Sequence, residues 1–393
     1  MRVLIVGGGV VGLSTAWALA KAGHEPLLFE AGPLPNPGGA SHDQHRLIRL
    51  HYGAAAGYTR MVLEAFGAWE RLWDDLGRRH YVETGALGFA PAPDRPTGEG
   101  AGEGAGDSAG DSVADSLASF RALGLAHQRL DRAALDELCP LFDLPETAWG
   151  LLAAPGGLLL ADKIVGHLAG WLRREGVGLF AETRAVDLDP EAGALRLADG
   201  QIALGDAIVV AAGAWTAKLV PALAARQTPQ RQIVVSLVPP DSRAAAWAEA
   251  PALVRLPTAQ AGYACPPVAG TRLKVGMIAA RRPGDPDALA PGSHAEAEAV
   301  IAPLRGLLRD GADYRVAGYR VCPYSLSHET TAGAGRFLTH REGCLTAITG
   351  CSGQMFKFGA LMGERLAATA TGALAVADFA RWAAGELDAP PAA

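Results

Sequence analysis

Three glycines near the start of the chain have the spacing of a dinucleotide-binding turn. The segment MRVLIVGGGVVG places Gly7, Gly9 and Gly12 directly after an apolar run. The first glycine of such a turn permits a tight bend, the second lets a pyrophosphate approach the backbone, and the third lets the following helix pack closely on the strand. The N-terminus of that helix then faces the phosphates with its N–H groups. The spacing therefore predicts a nucleotide site.

An acidic residue supports this interpretation. Glu30 ends the apolar segment PLLFE, 18 residues after Gly12, where a carboxylate accepts hydrogen bonds from ribose hydroxyls. Strand, turn, helix and acid in this order indicate a dinucleotide site rather than a glycine-rich turn without a ligand. The chain then enters a Gly/Pro-rich loop instead of repeating βα units. This slightly favours FAD over NAD and leaves both open.

The elements that must position these residues predict an α/β protein with two interleaved domains. Residues 2–6 and 26–30 flank a helix over STAWALAKAG and form a βαβ unit with it. We expect residues 177–213, with a hairpin at Asp199–Gly200, and the C-terminal segment CLTAITG to complete the same sheet domain. Between these pieces, QIVVSLVP, ALVRL and RLKVGMI predict a second, largely antiparallel sheet.

The chain length agrees with two domains, because 393 residues exceed what one core usually holds. The predicted Rossmann-like domain comprises residues 1–82, 148–220 and 328–393. The predicted second domain comprises residues 83–147 and 221–327. Within the latter, residues 94–119 are rich in Gly, Ser, Asp and Glu and nearly free of large apolar groups. We expect a flexible surface insertion there.

Composition excludes several classes of protein. Hydrophobic residues make up 49% and charged residues 19%, which is typical of a globular chain. The net charge of −6, without a dense Lys/Arg cluster, predicts no nucleic-acid or membrane partner. The N-terminal apolar run is short, no segment reaches the ~20 apolar residues of a membrane span, and five scattered cysteines form no metal or disulfide pattern. We therefore expect a cytoplasmic protein without a bound metal.

Five further segments, in order along the chain, resemble monomeric sarcosine oxidase and its relatives in the D-amino-acid-oxidase superfamily. They are ASHDQHRLIRLHYG (40–53), GAWTAKL (213–219), RLKVG (272–276), YRVCPYS (319–325) and GCSGQMFKF (350–358). The resemblance extends from the first strand to the last helix, apart from residues 94–119. It implies an FAD-binding domain built from three chain segments, a substrate domain from the two between them, and FAD as the cofactor.

The resemblance also implies roles for single residues. Cys322 matches the cysteine that holds the flavin ring through a thioether, and Lys274 matches a lysine beside the flavin that stabilises negative charge as electrons pass to O₂. Arg49 and Lys357 match the pair that binds the substrate carboxylate. Tyr263 and Tyr324 match residues that line the substrate cavity.

The same comparison implies which residues contact the cofactor, with Arg46 beside the flavin. The expected cofactor-binding set is Gly7, Gly9, Val10, Val11, Gly12, Glu30, Ala31, Ser41, His42, Arg46, Leu47, Ala185, Ala212, Gly213, Trp215, Cys322, Gly353, Gln354, Met355 and Lys357.

The sequence departs from the family pattern around the substrate. Met277 and Ile278 stand where the family has an aromatic residue and a histidine, Met355 replaces a glycine, and Gln354 replaces a histidine. Lost imidazoles remove hydrogen bonds and a possible proton acceptor. We therefore expect a more apolar pocket and a bulkier substituent than the methyl group of sarcosine. His42, His45 and His51 could restore polarity, although each is more often a structural loop residue.

Together these features predict an FAD-dependent amine oxidase. The expected substrate is a secondary amino acid, either an N-substituted glycine or a cyclic imino acid, oxidised to the imine while O₂ becomes H₂O₂. One alternative is glycine or D-amino-acid oxidase-like oxidation of a primary amino acid. Another is a dehydrogenase of the same fold with a different electron acceptor; a flavin-binding protein without amine turnover and an NAD-linked enzyme are further rivals. We expect a monomer or weak dimer.

Overall fold

The computed structural model describes residues 1–90, 112–258 and 261–387. Its α-helices, in chain order, are α1 Val10–Lys21, α2 Ala56–Leu76, α3 Val113–Ala122, α4 Arg132–Leu138, α5 Ala161–Arg174, α6 Thr216–Leu219, α7 Asp241–Glu249, α8 His294–Arg305, α9 Gly359–Ala370 and α10 Val376–Ala383. Short 3₁₀ turns lie at Gly213–Trp215, Pro221–Arg226, Ile278–Ala280, Gly311–Asp313 and Met355–Phe358.

The strands belong to five sheets. The first eight are β1 Arg2–Val6, β2 Glu25–Phe29, β3 Arg46–Ile48, β4 Tyr81–Glu83, β5 Ala86–Ala90, β6 His127–Leu130, β7 Trp149–Ala153 and β8 Gly157–Leu159. The next eight are β9 Gly178–Phe180, β10 Ala185–Asp189, β11 Ala194–Leu197, β12 Ile202–Leu204, β13 Ala207–Val210, β14 Gln227–Val238, β15 Ala252–Arg255 and β16 Gly262–Cys265. The last are β17 Leu273–Met277, β18 Arg282–Pro283, β19 Arg315–Ser327, β20 Thr330–Thr331, β21 Ala334–Gly335, β22 Leu338–Glu342 and β23 Leu345–Thr349.

The first sheet has six strands in the order β22-β23-β13-β1-β2-β9. All neighbours are parallel except β22 and β23. Strand β1 is buried on both faces because its side chains alternate: Val3 and Ile5 pack among helices α1, α5 and α9, whereas Leu4 and Val6 pack against β11. This burial explains the unbroken apolar run that precedes the glycine turn.

The second sheet has nine strands, eight in the order β18-β14-β17-β16-β15-β5-β7-β6 and β19 paired to β14. Its pairs are antiparallel, apart from the parallel pair β5–β15. One face packs on helices α7 and α8 through Trp247 and Ile301. A small sheet in the order β3-β8-β4 carries the Arg46 segment, and β20 pairs with β21.

The predicted α/β fold with one Rossmann-like sheet and one largely antiparallel sheet is confirmed. The Asp199–Gly200 hairpin also forms, since β11 and β12 pair antiparallel. Its strands differ from the prediction in one respect. Strands β10, β11 and β12 form a separate three-stranded sheet that covers the six-stranded sheet instead of extending it.

The expected flexible insertion at 94–119 is wrong for its last part. Helix α3 begins after Ser112, whose hydroxyl caps it by accepting a hydrogen bond from Asp115 N. Val113 and Leu117 are buried in the main core, so this part of the segment does bury enough apolar surface to fold. Residues 94–111 lie outside the described residues.

The division into two domains stays a prediction. Strand β7 lies within the segment 148–220 assigned to the Rossmann-like domain, yet it pairs with β5 and β6 in the second sheet. Among the described residues, no helix combines the length and the apolar character that crossing a membrane requires.

Candidate active site

A cavity of about 870 Å³ connects the glycine turn to the second sheet. All the predicted catalytic residues line this cavity: Arg49, Tyr263, Lys274, Tyr324 and Lys357. The predicted cofactor contacts that line it are Gly7, Gly9, Val10, Val11, Glu30, Ala31, Ser41, His42, Arg46, Leu47, Ala185, Ala212, Gly213, Trp215, Cys322, Gly353, Gln354, Met355 and Lys357. Residues from widely separated motifs therefore meet at one place. Their roles stay predictions.

Gly12 is the predicted cofactor residue that does not line the cavity. A Cβ at Gly12 would overlap the carbonyl oxygen of Gly7, which itself has φ of +110°, a backbone conformation that favours glycine. Helix α1 therefore approaches the end of β1 more closely than a side chain at position 12 would permit. This packing keeps the helix N-terminus at the cavity wall.

The glycine turn and Glu30 fit the phosphates and ribose of a dinucleotide. Helix α1 starts at the cavity and has no acidic residue in its first turn, so its N–H groups are suited to an anion. Glu30 Oε2 accepts a hydrogen bond from Gly8 N at 2.6 Å, and Oε1 accepts from Gly32 N and Asn36 Nδ2, each at 2.9 Å. A carboxylate oxygen can accept two hydrogen bonds, so Oε2 retains capacity for a ribose hydroxyl.

A buried charge cluster lies in the cavity wall around Lys274. The Nζ atom of Lys274 donates to Asp43 Oδ2 at 2.8 Å and to the carbonyl oxygen of His45. Arg46 forms an ion pair with the same Asp43 carboxylate and donates to Ala40 O at 2.7 Å. Lys274 and Asp43 are only 1% and 6% exposed. Two cations thus share one buried carboxylate.

Lys274 owes its position to the centre of the second sheet. It lies on β17 opposite Ser236 of β14 and Cys265 of β16. Burial lowers the pKa of this lysine to about 7, because removing the ammonium from water disfavours its charged form. The side chain therefore titrates close to neutral pH.

Tyr263 lies on the neighbouring strand, opposite Gly276. A Cβ at Gly276 would come within 2.5 Å of the Tyr263 ring, so the ring covers the space that glycine leaves. Burial raises the pKa of its hydroxyl. Tyr263 is therefore neutral at physiological pH.

Arg49 and Lys357 meet at Tyr52. The guanidinium carbon of Arg49 is 4.7 Å from the centre of the Tyr52 ring. Lys357 Nζ is 5.3 Å from the same centre and donates to the Tyr52 hydroxyl at 2.9 Å. Lys357 is 5% exposed and sits in the 3₁₀ turn Met355–Phe358, whose backbone is held by Trp69 Nε1 donating to Lys357 O at 2.7 Å. The geometry creates a cationic wall suited to a carboxylate.

Cys322 and Tyr324 lie on β19 and both line the cavity. Each is 8% exposed, and two residues of separation place both side chains on one face of the strand. Cys322 is a free cysteine, opposite Gln232 of β14. Its sulfur can therefore contact a molecule bound in the cavity.

The positions that depart from the family pattern also lie at the cavity. Met277, Ile278 and Met355 contribute apolar wall. Gln354 also lines the cavity, and its side-chain amide donates a hydrogen bond to Gly335 O at 2.7 Å. The apolar side chains of Met277, Ile278 and Met355 are those from which the more apolar pocket was expected, and they do lie in the cavity wall.

The three histidines near Arg49 take mainly structural places. His45 Nε2 bonds with Arg272 O and His51 Nε2 with Leu151 O. Burial lowers the pKa of each to about 3, so both are neutral. His42 lines the cavity and bonds with Asp162 Oδ1 at 3.0 Å.

Sequence reasoning missed Asp43 and Tyr52. Both stand within the segment ASHDQHRLIRLHYG, which was recognised for its arginines. An acidic residue between two expected cofactor contacts was a usable signal for Asp43, because a carboxylate in a buried, arginine-rich segment requires cationic partners. Tyr52 carried no comparable signal.

Comparison with known proteins gives a consistent result. A family model described as FAD dependent oxidoreductase (DAO) matches residues 2–369. Monomeric sarcosine oxidase from Bacillus sp. (strain B-0618) is 25% identical over 371 residues, which cover 93% of this chain and 90% of that protein. The structure of NikD, an unusual amino acid oxidase essential for nikkomycin biosynthesis, superposes with a TM-score of 0.78 at 22% identity, covering 97% of this chain and 96% of that one. Glycine oxidase from Geobacillus kaustophilus gives 0.75 at 19% identity, covering 94% and 95%.

Proposed function

This chain belongs to the DAO family of FAD-dependent oxidoreductases, and we propose that it oxidises a secondary amino acid to the imine with O₂ as electron acceptor. The observation that carries the proposal is the meeting of Arg49 and Lys357 at Tyr52, in the same cavity as the dinucleotide turn. Two cations at one point of a largely apolar wall are suited to an amino-acid carboxylate.

The chain's own residues account for binding the cofactor. The α1 N-terminus and Glu30 would hold the pyrophosphate and ribose, and Arg46 would lie beside the ring. We further propose that Cys322 Sγ attaches the ring through a thioether. Bound FAD would supply the two-electron acceptor for the hydrogen of the carbon next to nitrogen, with O₂ as the final electron acceptor and H₂O₂ as the product.

The substrate would be oriented by its carboxylate. The planar guanidinium of Arg49 can form two parallel hydrogen bonds, and Lys357 adds a point charge held by Tyr52. Tyr263, Tyr324, Met277 and Ile278 enclose the remainder and exclude water from the reacting carbon. An amine bound in its neutral form needs no further base, which agrees with neutral His45 and His51.

The Asp43 contact favours a second candidate, a dehydrogenase that passes electrons to another acceptor. An ammonium paired to a carboxylate at 2.8 Å contributes less net charge to stabilise an anion formed from O₂. Lys274 still lines the cavity, and we therefore place the oxidase first. Steady consumption of O₂ with substrate separates the two.

The proposal is tested by anaerobic bleaching of the flavin absorption band. The panel holds sarcosine, longer N-alkyl glycines, N-carboxymethyl glycine, pipecolate, proline, and primary D- and L-amino acids. We expect bleaching by a secondary amino acid, with recovery in air, and none by the matching amine that lacks the carboxylate. Bleaching by primary amino acids alone would replace the proposed substrate class. Bleaching by none of them would overturn amine oxidation.

A further inference from the structure

A further cation, besides those already described, lines the cavity that contains the proposed substrate site. Arg255 is the last residue of β15, half-buried and part of the cavity wall. Its neighbours in that wall include Val254, Ala261 and Gly262. No family motif in the sequence marks this residue.

The sheet register directs Arg255 toward the cavity. Strand β15 pairs with β5, where Leu253 opposes Leu87 and Arg255 opposes Gly88, with an irregularity between the two pairs. A Cβ at Gly88 would contact Val113 of α3, Val254 and His51, so this face of β5 lies against helix α3 and the loop that follows Arg49. Directly opposed residues share a face of the sheet. Val254 is thus an extra residue in β15 relative to β5. It shifts Arg255 to the face of the sheet that borders the cavity, whereas Leu253 points to the other face, into the core beneath α7 and α8.

Among the described residues that line the cavity, cations outnumber acidic groups. Within the described part of the chain, Arg255 has neither an ion pair nor a side-chain hydrogen bond. The acidic residues among the cavity lining are Glu30 and Asp287. Glu30 is held at the glycine turn, and Asp287 is paired with Lys218 at 2.5 Å. One substrate carboxylate at Arg49 and Lys357 would leave Arg255 without a counter-ion among the described residues.

We propose that Arg255 binds a second acidic group of the substrate, so that the amino acid oxidised carries two carboxylates. This inference rests on the proposed amine oxidation. Met277 and Ile278 supply apolar wall in the same cavity, and the methylene groups that join the two acids would pack there. The substrate class is thus a dicarboxylic secondary amino acid, with the second acid on the side chain or on the N-substituent.

The test compares substrates that differ in one charge. N-methyl-glutamate is paired with N-methyl-glutamine, and N-carboxymethyl glycine with its monoamide. The holoenzyme is expected to prefer each acid over its amide by about 10- to 100-fold in kcat/KM, because charge-assisted hydrogen bonds discriminate by that order. Arg255→Gln should abolish this preference mainly through KM, with a far larger loss for the acids than for the amides. Arg121→Gln, an exposed arginine outside the cavity wall, is the matched control.

A binding measurement separates this proposal from the function on which it rests. Thiodiacetate and its monoamide contain no amine, and their binding to the holoenzyme is read from the change in flavin absorption. Two outcomes would overturn the role of Arg255 alone: the enzyme oxidises the amines without preferring the acid to its amide, or Arg255→Gln reduces activity equally on the acid and the amide. A third outcome is that no amine is turned over, yet thiodiacetate binds and its binding weakens in Arg255→Gln. That outcome would overturn amine oxidation and keep the second acid site. Neither turnover nor selective binding would overturn both.

Discussion

Lys274 Nζ lies 2.8 Å from Asp43 Oδ2, although the two residues are 231 positions apart in the sequence. Because both are buried, their charges are screened little by solvent. The carboxylate favours the ammonium form, and burial disfavours it; burial dominates and lowers the pKa of Lys274 to about 7. The charge at this position therefore depends on desolvation, on neighbouring cations such as Arg46, and on the Asp43 carboxylate that both cations contact.

The first prediction concerns pH. The ammonium fraction of Lys274 falls as pH rises through about 7, so the rate at which the reduced enzyme reacts with O₂ should decline over the same range. Stopped-flow reoxidation from pH 5.5 to 9 measures this decline. Lys274→Met should react slowly at every pH and show no such step. A wild-type profile that is flat across pH 7 would contradict the role given to the lysine.

The second prediction concerns Asp43. Asp43→Asn removes the negative charge beside Nζ, and an opposite charge at this distance typically shifts a pKa by about one unit or more. The midpoint of the reoxidation profile should therefore move to lower pH by about one unit. Asp187→Asn, which alters an exposed ion pair with Arg196, should leave the profile unchanged. An unmoved midpoint in Asp43→Asn would show that the contact does not govern the lysine.

The third prediction concerns the carboxylate site. Arg49→Lys retains the charge but loses the parallel pair of hydrogen bonds, and we expect kcat/KM to fall about tenfold. Arg49→Gln also loses the charge, and we expect a fall of about 100-fold or more. Steady-state kinetics on the best substrate of the panel measures both, with the exposed Arg79→Gln as control. Equal activity in all three variants would remove Arg49 from the site.

The fourth prediction concerns Cys322. If its sulfur holds the flavin, denatured wild-type protein keeps its yellow colour and fluoresces on a denaturing gel, whereas Cys322→Ser releases free flavin. Cys351→Ser, also at the cavity wall, should retain the attachment. Release of all flavin from the denatured wild type would overturn the thioether and leave FAD bound by the dinucleotide turn alone.

The fifth prediction compares two glycines that both lie within α-helices, Gly12 in α1 and Gly166 in α5. Gly12→Ala places a methyl group against Gly7 O, and we expect a loss of about 1–3 kcal/mol in stability together with weaker FAD binding. Gly166 lies inside α5, where an added Cβ meets no atom within 4 Å. Gly166→Ala should therefore stabilise by about 0.5–1 kcal/mol. Thermal unfolding and FAD titration measure both variants, and equal effects would contradict the packing argument.

Local patterns explain which features the sequence revealed. Gly7, Gly12 and Glu30 act within one βαβ unit, so their spacing along the chain is also their spacing in the structure. The roles expected for Arg49, Lys357 and Cys322 came from resemblance, and the structure brings all three to one cavity.

Long-range geometry explains what was missed. The Asp43–Lys274 contact and the cavity-facing position of Arg255 depend on strand pairings between distant segments, and no local pattern encodes them. Helix α3 was missed for a different reason. The acidic, Gly-rich composition that precedes it extends into its first turn, and the buried Phe120 lies beyond the segment that was judged by composition.

The position of β1 between β2 and β13 has a consequence for biosynthesis. The partner of residues 2–6, Ala207–Val210, leaves the ribosome about 200 residues after them, which takes roughly 10–40 s at typical rates of translation. During that interval the apolar strand RVLIV presents one unpaired edge, a setting that favours aggregation. Nascent chains of this protein should therefore depend on chaperones until β13 has emerged, and fragments that end before residue 207 should be insoluble.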